Sequence, residues 1–172
     1  NIADRKSRQM LHKAKKNNPN AIVVAVGCYV QAAGEELLTD KAVDIIVGNN
    51  KKSELVALVE SYYSEKKSGV SDIIDIGKTS EYESLAISEQ SEKTRAFIKV
   101  QDGCNQFCTY CIIPYARGRV RSRNMKDCID EISNLASSGY KEVVLTGIHL
   151  SSYGVDMAGE NISLIDLIEA VH

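Results

Sequence analysis

The stretch Gly103-Cys104-Asn105-Gln106-Phe107-Cys108-Thr109-Tyr110-Cys111 carries three cysteines between a predicted strand and a predicted helix. A closed tetrahedral zinc site needs four protein ligands, and this stretch supplies only three thiolates. Three thiolates around a four-iron cluster leave one iron open to bind another molecule. The spacing therefore favours an iron–sulfur site with an open coordination position.

Two other interpretations of the same cysteines stay open. Cys108 and Cys111 form a CxxC pair, which in intracellular chains is commonly half of a zinc site or a redox dithiol. The next cysteine, Cys128, falls in a predicted helix with core spacing, and no zinc partner is evident nearby. A redox dithiol would need neither Cys104 nor the interleaved aromatic residues. A zinc-binding or electron-transfer module is thus the rival reading.

The composition describes an ordinary globular chain. Its 172 residues are 44% hydrophobic, which is enough for one domain or two small ones. No apolar run approaches the length of a membrane span, and no hydrophobic signal region begins the sequence. Five cysteines, three of them clustered, fit thiolate ligands in a reducing compartment better than disulfides. We therefore expect a cytoplasmic protein.

The formal charge of −2 hides two basic segments. Residues 1–20 contain six Lys or Arg against one acid, and residues 95–126 contain seven against one. Such segments favour contact with a polyanion such as nucleic acid, although a basic helix can equally be a solvated face.

The order of predicted elements indicates an α/β chain with parallel sheets. In the first part, helices are predicted at 3–16, 33–38 and 51–63, with buried strands at 21–26 and 43–47. In the second part, strands are predicted at 96–101 and 142–146, loops at 102–123 and 147–161, and helices at 125–137 and from Ser163 onward. This repeated β-loop-α order is typical of a parallel barrel, in which functional loops follow the strands. A polar linker with a weak strand at 72–76 separates the parts, so the predicted domains are 1–65, 66–94 as linker, and 95–172.

The cysteine stretch resembles the cluster motif of the radical S-adenosylmethionine (SAM) enzymes. Its continuation, IPYARGRVRSR at 113–123, resembles the methylthiotransferases, and NIADRKSRQ at 1–9 and VGCYVQ at 26–31 resemble their amino-terminal domain. The resemblance implies part of an amino-terminal methylthiotransferase α/β domain, followed by the first βα units of a radical SAM partial TIM-type barrel. It also implies that the chain is part of a longer protein.

The resemblance assigns roles to individual residues. Cys104, Cys108 and Cys111 would hold a [4Fe-4S] cluster that binds SAM, with Tyr110 against the adenine and Gly147 near the methionine. Cys28 would be one of three ligands of an auxiliary [4Fe-4S] cluster, and the other two would precede Asn1. Without the resemblance, a lone cysteine after a buried strand is an ordinary core residue.

The implied activity is insertion of sulfur at carbon 2 of N6-threonylcarbamoyladenosine, next to the tRNA anticodon, followed by methylation of that sulfur. The implied partners are the tRNA anticodon stem-loop and an electron donor such as flavodoxin or ferredoxin. Within the family, the alternatives are isopentenyladenosine in tRNA and an aspartate of a ribosomal protein.

Four alternating arginines follow the cysteines in a loop that contains proline and glycine. Because guanidinium groups suit phosphates, base edges and carboxylates, we expect RNA or SAM contacts, with pairing to acids as the alternative. The four are Arg117, Arg119, Arg121 and Arg123. His149, after the second strand, could lie in a cofactor pocket or simply be a loop residue.

Overall fold

The computed structural model describes residues 2–65, 69–85, 94–159 and 161–172. It divides into two compact units. Unit one comprises Asn1–Ile76 with Tyr115–Arg117, and unit two comprises Gly77–Pro114 with Gly118–His172. Both are mixed α/β, as predicted. The predicted linker lies partly outside the described residues, at 66–68 and 86–93, and the domain boundaries drawn from composition stay predictions.

Unit one contains a three-stranded parallel sheet in the order β1-β2-β3. Its strands are β1 (Val24–Val26), β2 (Ile45–Val47) and β3 (Val70–Asp72), and its helices are α1 (Ile2–Asn17), α2 (Cys28–Ala33) and α3 (Leu55–Glu65). Short 3-10 helices cover Gly34–Thr39 and Lys52–Glu54. The central strand β2 is completely buried, which is why its sequence is a continuous apolar run.

Three details of unit one differ from the sequence prediction. The helical stretch predicted at 33–38 is present as the 3-10 helix Gly34–Thr39, but a further helix, α2, precedes it, because Gly27 adopts φ +102° and turns the chain directly from strand into helix. The apolar pattern of 51–63 predicts that Val56 faces inward, but Val56 is 68% exposed, and α3 has no fully buried residue. The weak strand predicted at 72–76 lies slightly earlier, at β3.

Unit two is built on a parallel pair of strands, β4 (Arg95–Lys99) and β7 (Glu142–Thr146), with Arg95 opposite Glu142 and Lys99 opposite Thr146. An antiparallel pair, β5 (Gln101–Asp102) and β6 (Arg121–Ser122), lies in the stretch predicted as strand end and loop. The helices are α5 (Met125–Ser137) and α6 (Leu164–Val171), with a 3-10 helix at Leu150–Ser152. In the short helix α4 (Ile113–Ala116), the first two residues belong to unit two and the last two to unit one.

The predicted start of α5 is confirmed, because the side chain of Asn124 accepts a hydrogen bond from the Lys126 N–H. α5 and α6 cover β4 with a core that includes Ile98, Cys128 and Leu167. Cys128 is fully buried, and this burial raises the pKa of its thiol to about 11. Cys128 is therefore a neutral core residue, as its spacing predicted.

Over the described residues the parallel sheet of unit two has the two strands β4 and β7, so its extension into a partial barrel stays a prediction. Among the described residues, no helix combines the length and apolar character needed to cross a membrane.

Candidate functional site

The cysteine loop, residues 103–111, follows β4 and β5 at the carboxyl end of the parallel pair. Cys108 is exposed, Cys104 and Cys111 are half-buried, and none is in a disulfide. The Cys111 N–H donates to the Cys108 carbonyl at 2.9 Å, which closes a turn between the last two cysteines. Three free thiols on one accessible loop are the donor set that an open iron–sulfur cluster needs.

The thiol geometry does not itself form a metal site. In the described ranges, no three His, Cys, Asp or Glu side chains are grouped closely enough to hold a metal ion. The triad therefore stays a prediction from its spacing, and what the structure adds is the way in which the loop is held.

The beginning of the cysteine loop packs tightly on residues 118–120. Gly103 has φ +73°, and a Cβ atom there would lie 1.8 Å from the Arg119 carbonyl oxygen. The Cys104 N–H donates to the Gly118 carbonyl at 3.1 Å, and the Val120 N–H donates to Asn105 Oδ1 at 3.1 Å. Only glycine fits at position 103, and Cys104 is thereby fixed at its backbone.

Gln101 joins the cysteine loop to the loop that follows β7. Its side chain is fully buried, and Nε2 donates to the carbonyls of Asp102 and Gly103, both at 2.8 Å. Oε1 accepts the His149 N–H at 2.8 Å. Since two partners are carbonyls and the third is an N–H, the orientation of the amide is chemically determined. We call such a side chain, whose Oε1 and Nε2 connect segments at the ends of neighbouring strands, a glutamine bridge.

The predicted cofactor residues lie on these same loops. Gly147 directly follows β7, and a Cβ atom there would lie 3.0 Å from Gln101 Oε1. Tyr110 is 90% exposed in the cysteine loop. The His149 ring has its Nδ1 2.7 Å from Ser152 Oγ, so the imidazole has a local partner in its own loop.

The loop after β7 is also fixed to the strand β6. The Gly154 N–H donates to Ser122 Oγ, and the Ser122 N–H donates to Asp156 Oδ2, both at 2.8 Å. The Tyr153 hydroxyl donates to the Arg123 carbonyl at 2.9 Å. The two loops of unit two are therefore held both by Gln101 and by β6.

The four arginines occupy different environments. Arg119 is exposed, and its guanidinium lies 4.3 Å from the centre of the Phe107 ring, in a cation–π contact. Arg123 is buried in an ion pair with Glu131. Arg121 is 1% exposed and lies 3.9 Å from the Asp102 carboxylate, which also receives the Lys99 ammonium at 2.9 Å. Arg121 and Arg123 are therefore buried beside acids of the chain. RNA contact stays a prediction for all four arginines.

Cys28, in unit one, is the first residue of α2, and its sulfur receives two N–H donors. Arg117 Nε donates to Sγ at 3.0 Å, and Asn49 Nδ2 lies 3.6 Å from it. Asn49 is buried and also donates to the Ala116 carbonyl at 2.6 Å. Two donors aimed at one sulfur suit a thiolate, which accepts hydrogen bonds better than a thiol does.

A second glutamine bridge lies beside Cys28. Gln31 Nε2 donates to the Ile74 carbonyl and Oε1 accepts the Asn49 N–H, both at 2.9 Å.

Sequence reasoning did not single out Gln31, Asn49 or Gln101. For two of them the sequence did contain a signal, namely their place at the end of a predicted strand. Asn49 follows the buried run 43–47, and Gln101 ends the run 96–101. Polar residues at the carboxyl ends of parallel strands face the functional edge of a sheet.

Comparison with known proteins adds independent evidence. Residues 98–168 match the family model of the radical SAM superfamily, and residues 1–48 match the uncharacterized protein family UPF0004. The chain is 48% identical to a threonylcarbamoyladenosine tRNA methylthiotransferase of Aquifex aeolicus, over 89% of this chain and 37% of the relative. It is 41% identical to the protein of the same name in Bacillus subtilis, over 94% of this chain and 36% of the relative.

A differently named relative is also similar. The tRNA-2-methylthio-N(6)-dimethylallyladenosine synthase of Dictyoglomus thermophilum is 39% identical, over 94% of this chain and 36% of the relative. The chain thus spans a little over a third of the length of the relatives it matches. These matches confirm the resemblance to the radical SAM methylthiotransferases that was drawn from the cysteine loop.

Proposed function

We propose that the intact protein is a tRNA methylthiotransferase that inserts sulfur at carbon 2 of N6-threonylcarbamoyladenosine, next to the anticodon, and methylates that sulfur. The observation that carries the proposal is the meeting of two loops at Gln101. One loop bears Cys104, Cys108 and Cys111, and the other begins at Gly147. Both leave the carboxyl end of the parallel pair β4 and β7, which is where α/β folds build their sites.

In the proposed site, Cys104, Cys108 and Cys111 would hold a [4Fe-4S] cluster through their thiolates and would leave one iron open to SAM. When bound, the cluster supplies the electron that cleaves the sulfonium carbon–sulfur bond of SAM. The chain's own residues orient these groups. The exposed Tyr110 ring would cover the adenine of SAM, and the backbone at Gly147 would receive its methionine part.

Cys28 is proposed as one of the protein ligands of an auxiliary [4Fe-4S] cluster. The N–H donors of Arg117 and Asn49 at its sulfur support this role, because hydrogen bonds to a ligand sulfur stabilise its negative charge and tune the cluster. The donors would also orient the thiolate before the cluster assembles.

For RNA contact, Arg119 is the favoured member of the four arginines, because its guanidinium is exposed and already held over Phe107. A phosphate or base of the anticodon stem-loop is the proposed partner. Completion of the β4–β7 pair into a partial barrel, a flavodoxin- or ferredoxin-type electron donor and a cytoplasmic location belong to the same proposal.

The substrate nucleoside is inferred from the names of relatives. The Aquifex and Bacillus proteins are named for threonylcarbamoyladenosine, and they are more similar to this chain than the relative named for dimethylallyladenosine. The dimethylallyl nucleoside is therefore the second candidate, and the experiment below separates the two.

The intact protein would be reconstituted anaerobically with iron and sulfide and then given SAM and a strong reductant. We expect 5′-deoxyadenosine in the wild type and none after Cys104→Ala, Cys108→Ala or Cys111→Ala. Cys128→Ala is the matched control, because it removes a cysteine from the core rather than from the loop. Absence of 5′-deoxyadenosine from a wild-type protein with full iron content would favour the electron-transfer reading.

Nucleoside mass analysis of tRNA from cells that lack the parent gene would identify the substrate. We expect loss of the methylthio form of threonylcarbamoyladenosine. Loss of the methylthio form of the dimethylallyl nucleoside instead would replace the favoured substrate with the second candidate.

A further inference from the structure

We propose that Gln101 is a positioning residue that fixes the separation between the cysteine loop and the loop after β7, so that one SAM molecule can contact both. The inference rests on the proposed function, since it concerns the same SAM site. Gln101 would not touch SAM itself, because its side chain is completely buried and its polar atoms are engaged with backbone groups.

The hydrogen bonds of Gln101 can be made by no other side chain of similar size. The two carbonyls at Nε2 require two N–H donors, and the His149 N–H at Oε1 requires an acceptor. Glutamate would place a carboxylate oxygen against two carbonyl oxygens. Methionine would match the length but would leave both carbonyls and the N–H without this partner.

Neither neighbouring loop can absorb a change in Gln101. On one side, a Cβ atom at Gly147 would already lie 3.0 Å from Gln101 Cβ and Oε1. On the other side, Gly103 is fixed because its α-carbon faces the Arg119 carbonyl, with no room for even a Cβ atom. A displaced Gln101 therefore moves the start of the cysteine loop relative to Gly147 and His149. Reactant positions that change by about 1 Å cost about 100-fold in rate in well-studied enzymes.

The test compares Gln101→Glu and Gln101→Met with Gln31→Glu in the intact protein. Gln31→Glu is the matched control, because it makes the same isosteric change in the other glutamine bridge. All proteins carry Cys28→Ala, so that iron and spectra report the SAM cluster alone. The measurements are iron content, the SAM dissociation constant, and the electron paramagnetic resonance spectrum of the reduced cluster with and without SAM.

We expect Gln101→Glu and Gln101→Met to retain iron, to bind SAM at least about tenfold more weakly, and to lose the spectral change that SAM causes. Gln31→Glu should keep the SAM affinity within about twofold. If Gln101 had a purely structural role, its variants would have lower melting temperatures, but their SAM affinity would not differ in this way from that of Gln31→Glu.

SAM affinity and spectra like those of the wild type in both Gln101 variants would overturn the inference. So would an equal loss of the SAM response in Gln31→Glu, because the effect would then be general. If Gln101→Glu fails to fold, Gln101→Met decides the matter. If both fail while Gln31→Glu folds, Gln101 is a folding residue and the inference is wrong. A parent protein carrying only Cys28→Ala that holds iron but gives no SAM response would instead refute the proposed function itself.

Discussion

The two units hold a Gly–Cys pair in different ways, although each uses a glutamine bridge beside it. Gln31 lies three residues after Cys28, and Gln101 lies three residues before Cys104. Each Oε1 accepts an N–H from the loop after a neighbouring parallel strand, namely Asn49 in unit one and His149 in unit two. In unit one the cysteine begins a helix and side chains reach its sulfur. In unit two the cysteine lies in a loop and its backbone is held instead.

The difference shows what each site requires. In the proposed auxiliary cluster Cys28 would contribute one sulfur, and Arg117 and Asn49 donate to that atom. In the proposed SAM site the cysteine loop would contribute three sulfurs, and the fold fixes the start of this loop while Cys108 is exposed and Cys104 and Cys111 are half-buried.

The largest effect on stability is expected at Gly103, and Gly27 of unit one serves as its comparison. Gly103→Ala would force a Cβ atom into the Arg119 carbonyl at a positive φ, and we expect a loss of about 4 kcal/mol in the free energy of unfolding. Gly27 also has a positive φ but no atom lies within 4 Å of the new Cβ, so we expect a smaller loss of about 2 kcal/mol for Gly27→Ala. Chemical denaturation of the intact protein measures both. Equal losses would mean that the close contact at Gly103 is not decisive.

The next effect concerns ion pairs, of which unit two has both buried and exposed examples. Arg123 and Glu131 have side chains 7% and 9% exposed, so Glu131→Ala would leave a buried guanidinium without its carboxylate. We expect a loss of about 3 kcal/mol in stability. Asp130→Ala on the same helix breaks the exposed pair with Lys126 and should cost less than about 0.5 kcal/mol. A similar cost for both variants would contradict the role assigned to burial.

A smaller effect is expected at Asp44 of unit one, and it depends on pH. Burial raises the pKa of this carboxyl, but the Lys15 ammonium and the Val23 N–H outweigh burial and hold the pKa below its usual value. The ionised form therefore stabilises the fold above the unfolded pKa of about 3.9, and this contribution is lost as the pH falls through the lower folded pKa.

Asp44→Asn should cost about 1 kcal/mol at neutral pH and almost nothing once the pH is below the folded pKa. The pH dependence of this stability difference can be measured by hydrogen exchange of unit-one peptides between neutral and acidic pH. Asp40→Asn is a useful comparison, because burial again raises the pKa of Asp40 while the Ala42 N–H and His12 lower it overall. A cost at Asp44 that is independent of pH would remove the electrostatic explanation.

The smallest effect on stability is expected at Arg119. Arg119→Ala removes an exposed cation–π contact with Phe107, which is worth about 0.5–1 kcal/mol. If Arg119 also contacts a tRNA phosphate, the variant should bind the anticodon stem-loop more weakly, with the salt slope reduced by about 1. Lys41→Ala is the control, because Lys41 is an exposed cation of unit one that lies outside both basic segments. Unchanged RNA affinity after Arg119→Ala would mean that Arg119 contacts Phe107 and does not contact RNA.

Much of this architecture follows from local pattern. The buried run 43–47, the caps at Asn124 and Ser163, and the core position of Cys128 were each readable, because apolar periodicity and capping act within a few residues. The parallel strands followed from the alternation of elements. The cysteine spacing and the residues after it carried the family resemblance that the comparisons confirm, because motif residues and their spacing are properties of the sequence itself.

Other features could be decided only by tertiary structure. Four arginines in one loop look equivalent in sequence, yet Arg121 and Arg123 are buried beside acids, Arg119 lies over Phe107, and Arg117 reaches the sulfur of Cys28, 89 residues away. The two glutamine bridges likewise join segments that are 18 to 48 residues apart. The sequence by itself determined which cysteines could bind iron and where the parallel strands β1, β2, β4 and β7 would lie. Which polar side chains hold those segments together depends on distances between remote residues, and these exist only once the chain has folded.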